Sequence, residues 1–81
     1  MIPADWQPGE SRAIAAYRYL PSEETLQIAY TQGRLVYDFP CPQEMFERFL
    51  TTESRGRFVQ FVLRPYARSL SWSQPAYPWP W

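Results

Sequence analysis

The sequence predicts an α+β fold in which a three-stranded antiparallel β-meander is followed by two short helices packed on one face of the sheet (βββαα). Three observations lead to this prediction. Apolar residues alternate with polar ones in the first half of the chain, short turn-forming links separate these runs, and apolar residues at helical spacing follow a pair of prolines. Because parallel strands need a long crossover, the short links indicate antiparallel neighbours.

The first strand is predicted within SRAIAAYRYL, residues 11–20, where alternate positions carry apolar or aromatic side chains. These positions are Ala13, Ala15, Tyr17 and Tyr19. The residues PSEE that follow are typical of a turn. A strand ending at this turn begins the meander.

Two further strands are predicted in TLQIAYT and RLVYDF, which a short Gln32-Gly33 link joins into a β-hairpin. Alternation places one set of side chains of each strand on a common face. These side chains are Leu26, Ile28 and Tyr30 in the first strand and Leu35, Tyr37 and Phe39 in the second.

The first helix is predicted after the Pro40-Cys41-Pro42 corner. Pro42 suits the first helical turn, because the N–H that proline lacks would have no intrahelical partner there. The apolar residues that follow recur on one face, which we expect to pack on the sheet. They are Met45, Phe46, Phe49 and Leu50.

The second helix is predicted to begin at Ser54, a favourable N-cap residue, and to end before Pro65, because proline disfavours a helical conformation at Arg64. At 100° per residue, four side chains form its core-facing side. They are Phe58, Phe61, Val62 and Tyr66.

With 81 residues and one cysteine, the chain has room for one small core and no internal disulfide. We predict a loose lead-in over residues 1–10, the folded domain over 11–68 and a tail rich in proline and tryptophan over 69–81. No run of residues reaches the length of a membrane span, and the N-terminal residues do not resemble a secretion signal. These features predict a cytoplasmic protein.

Four tryptophans, Trp6, Trp72, Trp79 and Trp81, lie outside the part of the chain that carries the predicted fold. One interpretation is that both ends of the chain fold back and cover an exposed sheet face. The tail is also typical of a polyproline II ligand for an aromatic groove on a partner protein. A third interpretation is that the rings stack on single-stranded bases.

Charge is distributed unevenly along the chain, although the formal net charge is zero. Residues 1–54 contain four arginines and eight acids, whereas residues 55–81 contain four arginines and no acid. Arginine binds phosphate and carboxylate through two parallel hydrogen bonds and stacks on rings. The second half of the chain is therefore a candidate anion-binding surface.

On a helical wheel Arg57, Arg64 and Arg68 fall within about 40° of one another, about 120° from the apolar face. Arg55 adds its charge near the helix N-terminus, where backbone N–H groups already favour anions. The alternative interpretation is a solvated edge whose arginines pair with Glu47 or Glu53 of the first helix.

Catalytic machinery is not evident in the sequence. Without histidine, the chain lacks the Ser-His-Asp and Cys-His arrangements of nucleophilic enzymes, and a lone cysteine does not make a zinc site. Cys41, between two prolines, is expected to pack in the interior, and Asp38 to face solvent. We expect no enzyme activity, no cofactor and no bound metal.

Several of these residues together resemble the KTSC domain family over residues 11–66. The resemblance implies a small domain found in stand-alone bacterial proteins and at the C-terminus of some lysyl-tRNA synthetases. It implies a central YxY motif, and the synthetase association points to RNA binding. The residues that carry the resemblance are Ser11, Gly33, Tyr37-Asp38-Phe39, Pro42, Met45-Phe46, Ser54-Arg55-Gly56-Arg57-Phe58 and Leu63-Arg64.

The leading functional prediction is a non-catalytic module that binds RNA or single-stranded nucleic acid. Its expected site residues are Arg55, Arg57, Arg64, Arg68, Tyr37 and Tyr66. The alternative is a protein-interaction adaptor that uses the tail or an edge of the sheet. Its expected contact residues are Trp72, Tyr77, Trp79 and Trp81.

Overall fold

A computed structural model describes residues 2–73 and 76–81 of the chain; residue 1 of the predicted lead-in and residues 74 and 75 of the predicted tail lie outside the described residues. Within the described part, five strands form one antiparallel sheet in the order of the sequence. They are β1 (Gln7–Pro8), β2 (Ile14–Leu20), β3 (Thr25–Tyr30), β4 (Leu35–Pro40) and β5 (Tyr77–Pro78). The α+β class and the three central strands are as predicted, whereas the two short edge strands were not predicted.

Strands β3 and β4 form the predicted hairpin. Leu26 pairs with Phe39 and Ile28 with Tyr37. Leu26, Ile28 and Phe39 are buried on the helix side of the sheet. The link contains Gly33 at φ 79, a left-handed conformation that glycine adopts without steric cost.

A β-bulge between Ile14 and Ala16 changes the pattern in β2. Ile14 lies in the helix-side core with Tyr17, whereas Ala16 lies in the core of the opposite face. The prediction that Ala13 shares the face of Tyr17 was wrong, because the bulge inserts an extra residue, and Ala13 is exposed.

Helix α1 (Gln43–Thr51) begins directly after Pro42, which is its N-cap and not part of its first turn. Phe49 is fully buried and contacts the ring of Tyr17 edge-on, at 5.2 Å between centroids. Leu50 is 39% exposed, so the predicted apolar face is narrower than expected.

The second helix continues through Pro65, contrary to prediction. It consists of α2 (Arg55–Phe58), a π-helical turn (Val59–Leu63) and α3 (Arg64–Ser69), which follow one another directly. Ser54 is the N-cap, as predicted, and its Oγ accepts a hydrogen bond from the Arg57 N–H. In a regular α-helix the proline ring would clash with the carbonyl four residues earlier. The Arg64 N–H donates instead to the Val59 carbonyl, five residues earlier, and this wider turn directly precedes the ring of Pro65.

The π-helical turn also changes which side chains reach the core. The buried stripe consists of Phe58, Val59, Leu63 and Ala67. Phe61, which was predicted to be buried, is 61% exposed. The prediction for Phe61 was wrong because it assumed a constant 100° per residue and a core-facing aromatic ring at each apolar position.

The sheet face opposite the helices is covered by the two ends of the chain. Small side chains of the central strands, Ala16, Ala29 and Val36, form a shallow floor on which Trp6 is buried. Trp81 contacts Trp6 edge-on at 5.1 Å between ring centroids and stacks on Trp79 at 5.0 Å. For these three tryptophans the fold-back interpretation is therefore confirmed.

Truncating the chain after Ala76 is expected to destabilise the fold by about 2 kcal/mol or more, because it removes an edge strand and two packed indole rings. Urea denaturation of the full and truncated chains measures the difference. Leu70→Ala, at an exposed position, provides the control and should stay within about 0.5 kcal/mol of the full chain. A truncated chain as stable as this control would show that the tail adds nothing to the fold.

Candidate nucleic-acid interface

An open groove of about 790 Å³ lies between the second helix and the segment that precedes β2. Four arginines line it, Arg12, Arg57, Arg64 and Arg68, together with Tyr30 and Phe61. Of the described residues that line the groove, none is acidic. The groove therefore combines clustered positive charge with aromatic surface.

The fold brings Arg12 to the three helix arginines from a distant part of the sequence. The first turn of the second helix lies against the segment before β2, where a Cβ added to Gly56 would be 3.8 Å from the Cβ of Ala13. Thr31 ties the same segment to the sheet, since its hydroxyl donates to the Arg12 carbonyl at 2.9 Å. Sequence reasoning missed Arg12, because this arginine lies in the acidic half of the chain.

Arg64 is held against the sheet by aromatic rings. Its guanidinium carbon lies 5.4 Å from the ring centroid of Tyr37 and 5.7 Å from that of Phe39. The charge of Arg64 also interacts with Tyr30, whose ring contacts Tyr37 edge-on at 5.3 Å between centroids. Burial raises the pKa of Tyr30 despite the opposing charge of Arg64, so Tyr30 is a neutral hydroxyl at physiological pH. Tyr37, a predicted site residue, thus supports Arg64 from behind the groove and does not line it. Tyr30 lines the groove but was not among the predicted site residues.

Arg57 and Phe61 form the exposed rim of the groove. Arg57 is exposed, and its guanidinium carbon lies 5.9 Å from the centroid of the Phe61 ring. Phe61 and Arg57 also line a neighbouring depression, whose other lining residues include Arg48 and Glu53. An aromatic ring in solvent beside arginines is the arrangement on which single-stranded bases stack.

Arg55 does not line the groove and serves the fold instead. Its guanidinium donates to the Gly9 carbonyl at 3.0 Å and to the Leu50 carbonyl at 3.5 Å. It also lies over the rings of Tyr17 and Phe49, at 5.0 and 5.2 Å from their centroids. These contacts tie the N-terminal segment to both helices. Tyr66 is likewise absent from the lining of the groove, although it lies between Arg64 and Arg68 in sequence.

The groove arginines were alternatively expected to pair with acids of the first helix. Over residues 2–73 and 76–81, the salt bridge present joins Arg18 to Asp5, on the opposite side of the sheet from the helices. Neither Glu47 nor Glu53 forms an ion pair with the groove arginines within this part of the chain. Within these residues the groove arginines therefore have no salt-bridge partner, and Arg57 and Arg64 contact aromatic rings instead.

Of the expected partner-contact residues, Tyr77, Trp79 and Trp81 pack on the sheet face opposite the helices. The Trp79 indole N–H donates to the Tyr30 carbonyl at 3.1 Å. Trp72 lies apart from them, 38% exposed, in a smaller depression beside Arg64 and Arg68. The structure therefore separates Trp72 from the other residues of this set.

The remaining candidates for chemistry are held in structural contacts. Cys41 is fully buried, and burial raises the pKa of its thiol to about 12, so the thiol is protonated and unreactive at neutral pH. Asp38, expected to face solvent, is half-buried and accepts hydrogen bonds from the Tyr77 hydroxyl at 2.9 Å and the Gln27 amide at 3.2 Å. Burial is the main cause that raises the pKa of the Tyr77 hydroxyl to about 12, and the neighbouring Asp38 carboxylate is the second.

Metal-binding groups and membrane-spanning helices are both absent from residues 2–73 and 76–81. No group of three or more histidine, cysteine, aspartate or glutamate side chains there has the arrangement to hold a metal ion. In the same part of the chain, each helix is too short or too polar to cross a membrane.

Three comparisons relate the chain to known proteins. The model of the KTSC domain family matches residues 10–66, in agreement with the predicted resemblance. A protein of Tsukamurella paurometabola is 38% identical over 65 residues, which cover 80% of this chain and 97% of that protein. The crystal structure of a KTSC domain protein from Yersinia pestis superposes with a TM-score of 0.62 and 30% identity, covering 70% of this chain and 80% of that chain.

Proposed function

This chain belongs to the KTSC domain family, and we propose that it is a non-catalytic module that binds single-stranded nucleic acid, RNA in the first place. One observation carries the proposal. Four arginines from two distant parts of the chain converge on a groove without acidic lining, and the exposed ring of Phe61 stands at its rim.

The chemistry of the groove suits a phosphodiester strand. Arginine guanidinium groups bind phosphate oxygens through two parallel N–H donors, and each neutralised phosphate releases condensed counterions. Exposed aromatic rings stack on unpaired bases whatever the sequence. Because the arginines supply backbone contacts and Phe61 supplies stacking, we expect weak sequence preference and strong dependence on salt.

The alternative proposal, a protein-interaction adaptor, has less support. Its tail residues Tyr77, Trp79 and Trp81 are packed against the sheet, so a partner would have to displace them. The sheet edges are also poor templates for strand addition, because β1 and β5 are two residues long and each contains a proline. A cytoplasmic location stays a prediction.

The proposal is tested by fluorescence anisotropy with a labelled decauridine RNA, the same sequence as DNA, and an RNA duplex. We expect binding to both single strands, and weaker binding to the duplex because its bases are not free to stack. Four phosphate contacts predict a slope of log affinity against log salt of about −3, or a loss of about 50-fold between 50 and 200 mM salt. If the protein bound none of the three probes at 25 mM salt, the proposal would be refuted.

A further inference from the structure

We propose that Trp72 is a second base-stacking platform and that the bound strand follows the second helix from Phe61 to Trp72. This inference rests on the proposed function and adds the path of the ligand. It assigns a binding role to a residue outside the part of the chain that matches the family model, residues 10–66.

The first observation is that the site of Trp72 adjoins the groove. A depression of about 230 Å³ is lined by Trp72, Phe39 and Ala67, and it shares Arg64 and Arg68 with the groove. The two arginines therefore stand between the Phe61 ring and the Trp72 ring. A strand that contacts both arginines has an exposed aromatic ring within reach at either end.

The second observation is that the fold fixes Trp72 while leaving it exposed. The second helix ends in a Schellman motif: the Trp72 N–H donates to the Ala67 carbonyl at 2.9 Å, and the Ser71 N–H to the Arg68 carbonyl at 3.0 Å. Ser71 has the left-handed φ of 55° that this motif requires. The Trp72 indole N–H donates to the Asp38 carbonyl at 2.9 Å, which anchors one edge of the ring to β4.

A ring held at both its backbone and its indole N–H has already lost most of its rotational freedom. Stacking a base on it costs little further conformational entropy, which favours binding. The contrast with the other tryptophans supports a distinct role, because Trp6, Trp79 and Trp81 cluster on the opposite sheet face and cover its apolar floor. Trp72 belongs to neither core cluster.

The spacing sets the length of strand that the path accommodates. Phe61 and Arg68 are seven residues apart on the helix, or about 10 Å along its axis at about 1.5 Å per residue. Trp72 lies beyond the helix end, so the path exceeds three stacked base spacings of about 3.4 Å. An oligonucleotide of about six nucleotides is long enough to contact both rings.

Among the residues that line the depression the cations are Arg64 and Arg68, and the residue beside Trp72 is Asp38, whose backbone carbonyl accepts the Trp72 indole N–H. Hydrogen bonds from Tyr77 and Gln27 hold the Oδ1 of Asp38. We therefore place phosphate contacts at Arg64 and Arg68 and only a base at Trp72. This assignment predicts that Trp72 matters for strands that carry bases and not for the sugar–phosphate backbone alone.

The test compares the wild-type chain with Trp72→Ala, Trp72→Phe and the neighbouring control Leu70→Ala. Two labelled probes are used, a hexauridine RNA and an abasic phosphodiester strand of the same length, and thermal melts confirm that each variant is folded. We expect Trp72→Ala to weaken hexauridine binding about tenfold, within the range for loss of one stacked base. Trp72→Phe and Leu70→Ala should stay within about threefold of wild type, and no variant should change binding of the abasic strand by more than about threefold.

Equal hexauridine affinity for Trp72→Ala and wild type would overturn the second platform and leave the proposed function intact. Equal losses for the hexauridine and the abasic strand would also overturn it, because they would assign Trp72 a structural role. If the wild-type chain bound neither hexauridine nor decauridine, the proposed function would be refuted, and the inference with it.

Discussion

The double substitution Arg57→Glu and Arg64→Glu is expected to reduce affinity for decauridine RNA by at least about 100-fold at 50 mM salt. Both side chains line the groove, and within the described residues neither forms a salt bridge. Hydrogen bonds to a charged partner contribute about 1.5–3 kcal/mol each, so two lost contacts correspond to about 3 kcal/mol or more. Fluorescence anisotropy over a protein titration measures the change.

The matched control is Arg34→Glu with Arg48→Glu, which changes the net charge equally outside the groove. Both arginines are exposed, so the fold should tolerate the control. We expect it to reduce affinity less than the groove substitution does at the same 50 mM salt, and less than about fivefold at 150 mM salt, where screening weakens long-range charge effects. If the two double variants lost affinity equally, binding would follow net charge alone and the groove would not be the site.

Phe58→Ala is expected to reduce the free energy of unfolding by about 3–5 kcal/mol, whereas Phe61→Ala should change it by less than about 0.5 kcal/mol. Phe58 is 6% exposed and contacts Phe49 edge-on at 6.0 Å between centroids, while Phe61 lies 61% exposed at the groove rim. Urea denaturation followed by circular dichroism measures both values. Both substitutions replace a phenylalanine with alanine, so each variant is the control for the other.

The pair also separates stability from binding. Phe61→Ala should weaken decauridine binding about fivefold or more while the fold remains intact, because one stacking platform is lost. A loss of less than about 1 kcal/mol for Phe58→Ala would show that the second helix is misplaced on the sheet. A large loss for Phe61→Ala would show that its ring is packed and not available to bases.

The sheet core and the hairpin could be predicted from the sequence because their signals are local. Alternation placed Leu26 and Ile28 on one face, and a glycine in the link indicated the turn. The bulge at Ile14 left no such signal, since an extra residue in a strand of alanines and tyrosines shifts the register without a change in composition. Strands β1 and β5 were not predicted, because segments rich in proline and glycine are typical of loops.

The course of the second helix could not be predicted because proline normally ends or kinks a helix. A π-helical turn directly before Pro65 accommodates the ring, and this turn exposes Phe61 and buries Val59 and Leu63. Propensity carries no signal for a π-helical turn, which depends on tertiary packing. Because the predicted helix lacked this turn, Phe61 was assigned to the core and was left out of the predicted site residues.

The candidate groove was predictable in part. The helical wheel brought Arg57, Arg64 and Arg68 to one side, and all three line the groove. Arg12 could not be assigned, because its approach to the helix depends on how the segment before β2 packs against Gly56. Arg55 was predicted to add its charge near the helix N-terminus, but its guanidinium donates to the Gly9 carbonyl, a contact between distant parts of the chain that has no sequence signal.

The most direct test of the proposed interface is a ¹⁵N amide chemical-shift map recorded with and without decauridine RNA at low salt. We predict that the largest shifts fall at residues 11–13, along residues 54–68 and at Trp72, with small changes at Tyr77, Trp79 and Trp81. Shifts centred on those last three residues, or no shifts at all, would contradict this prediction.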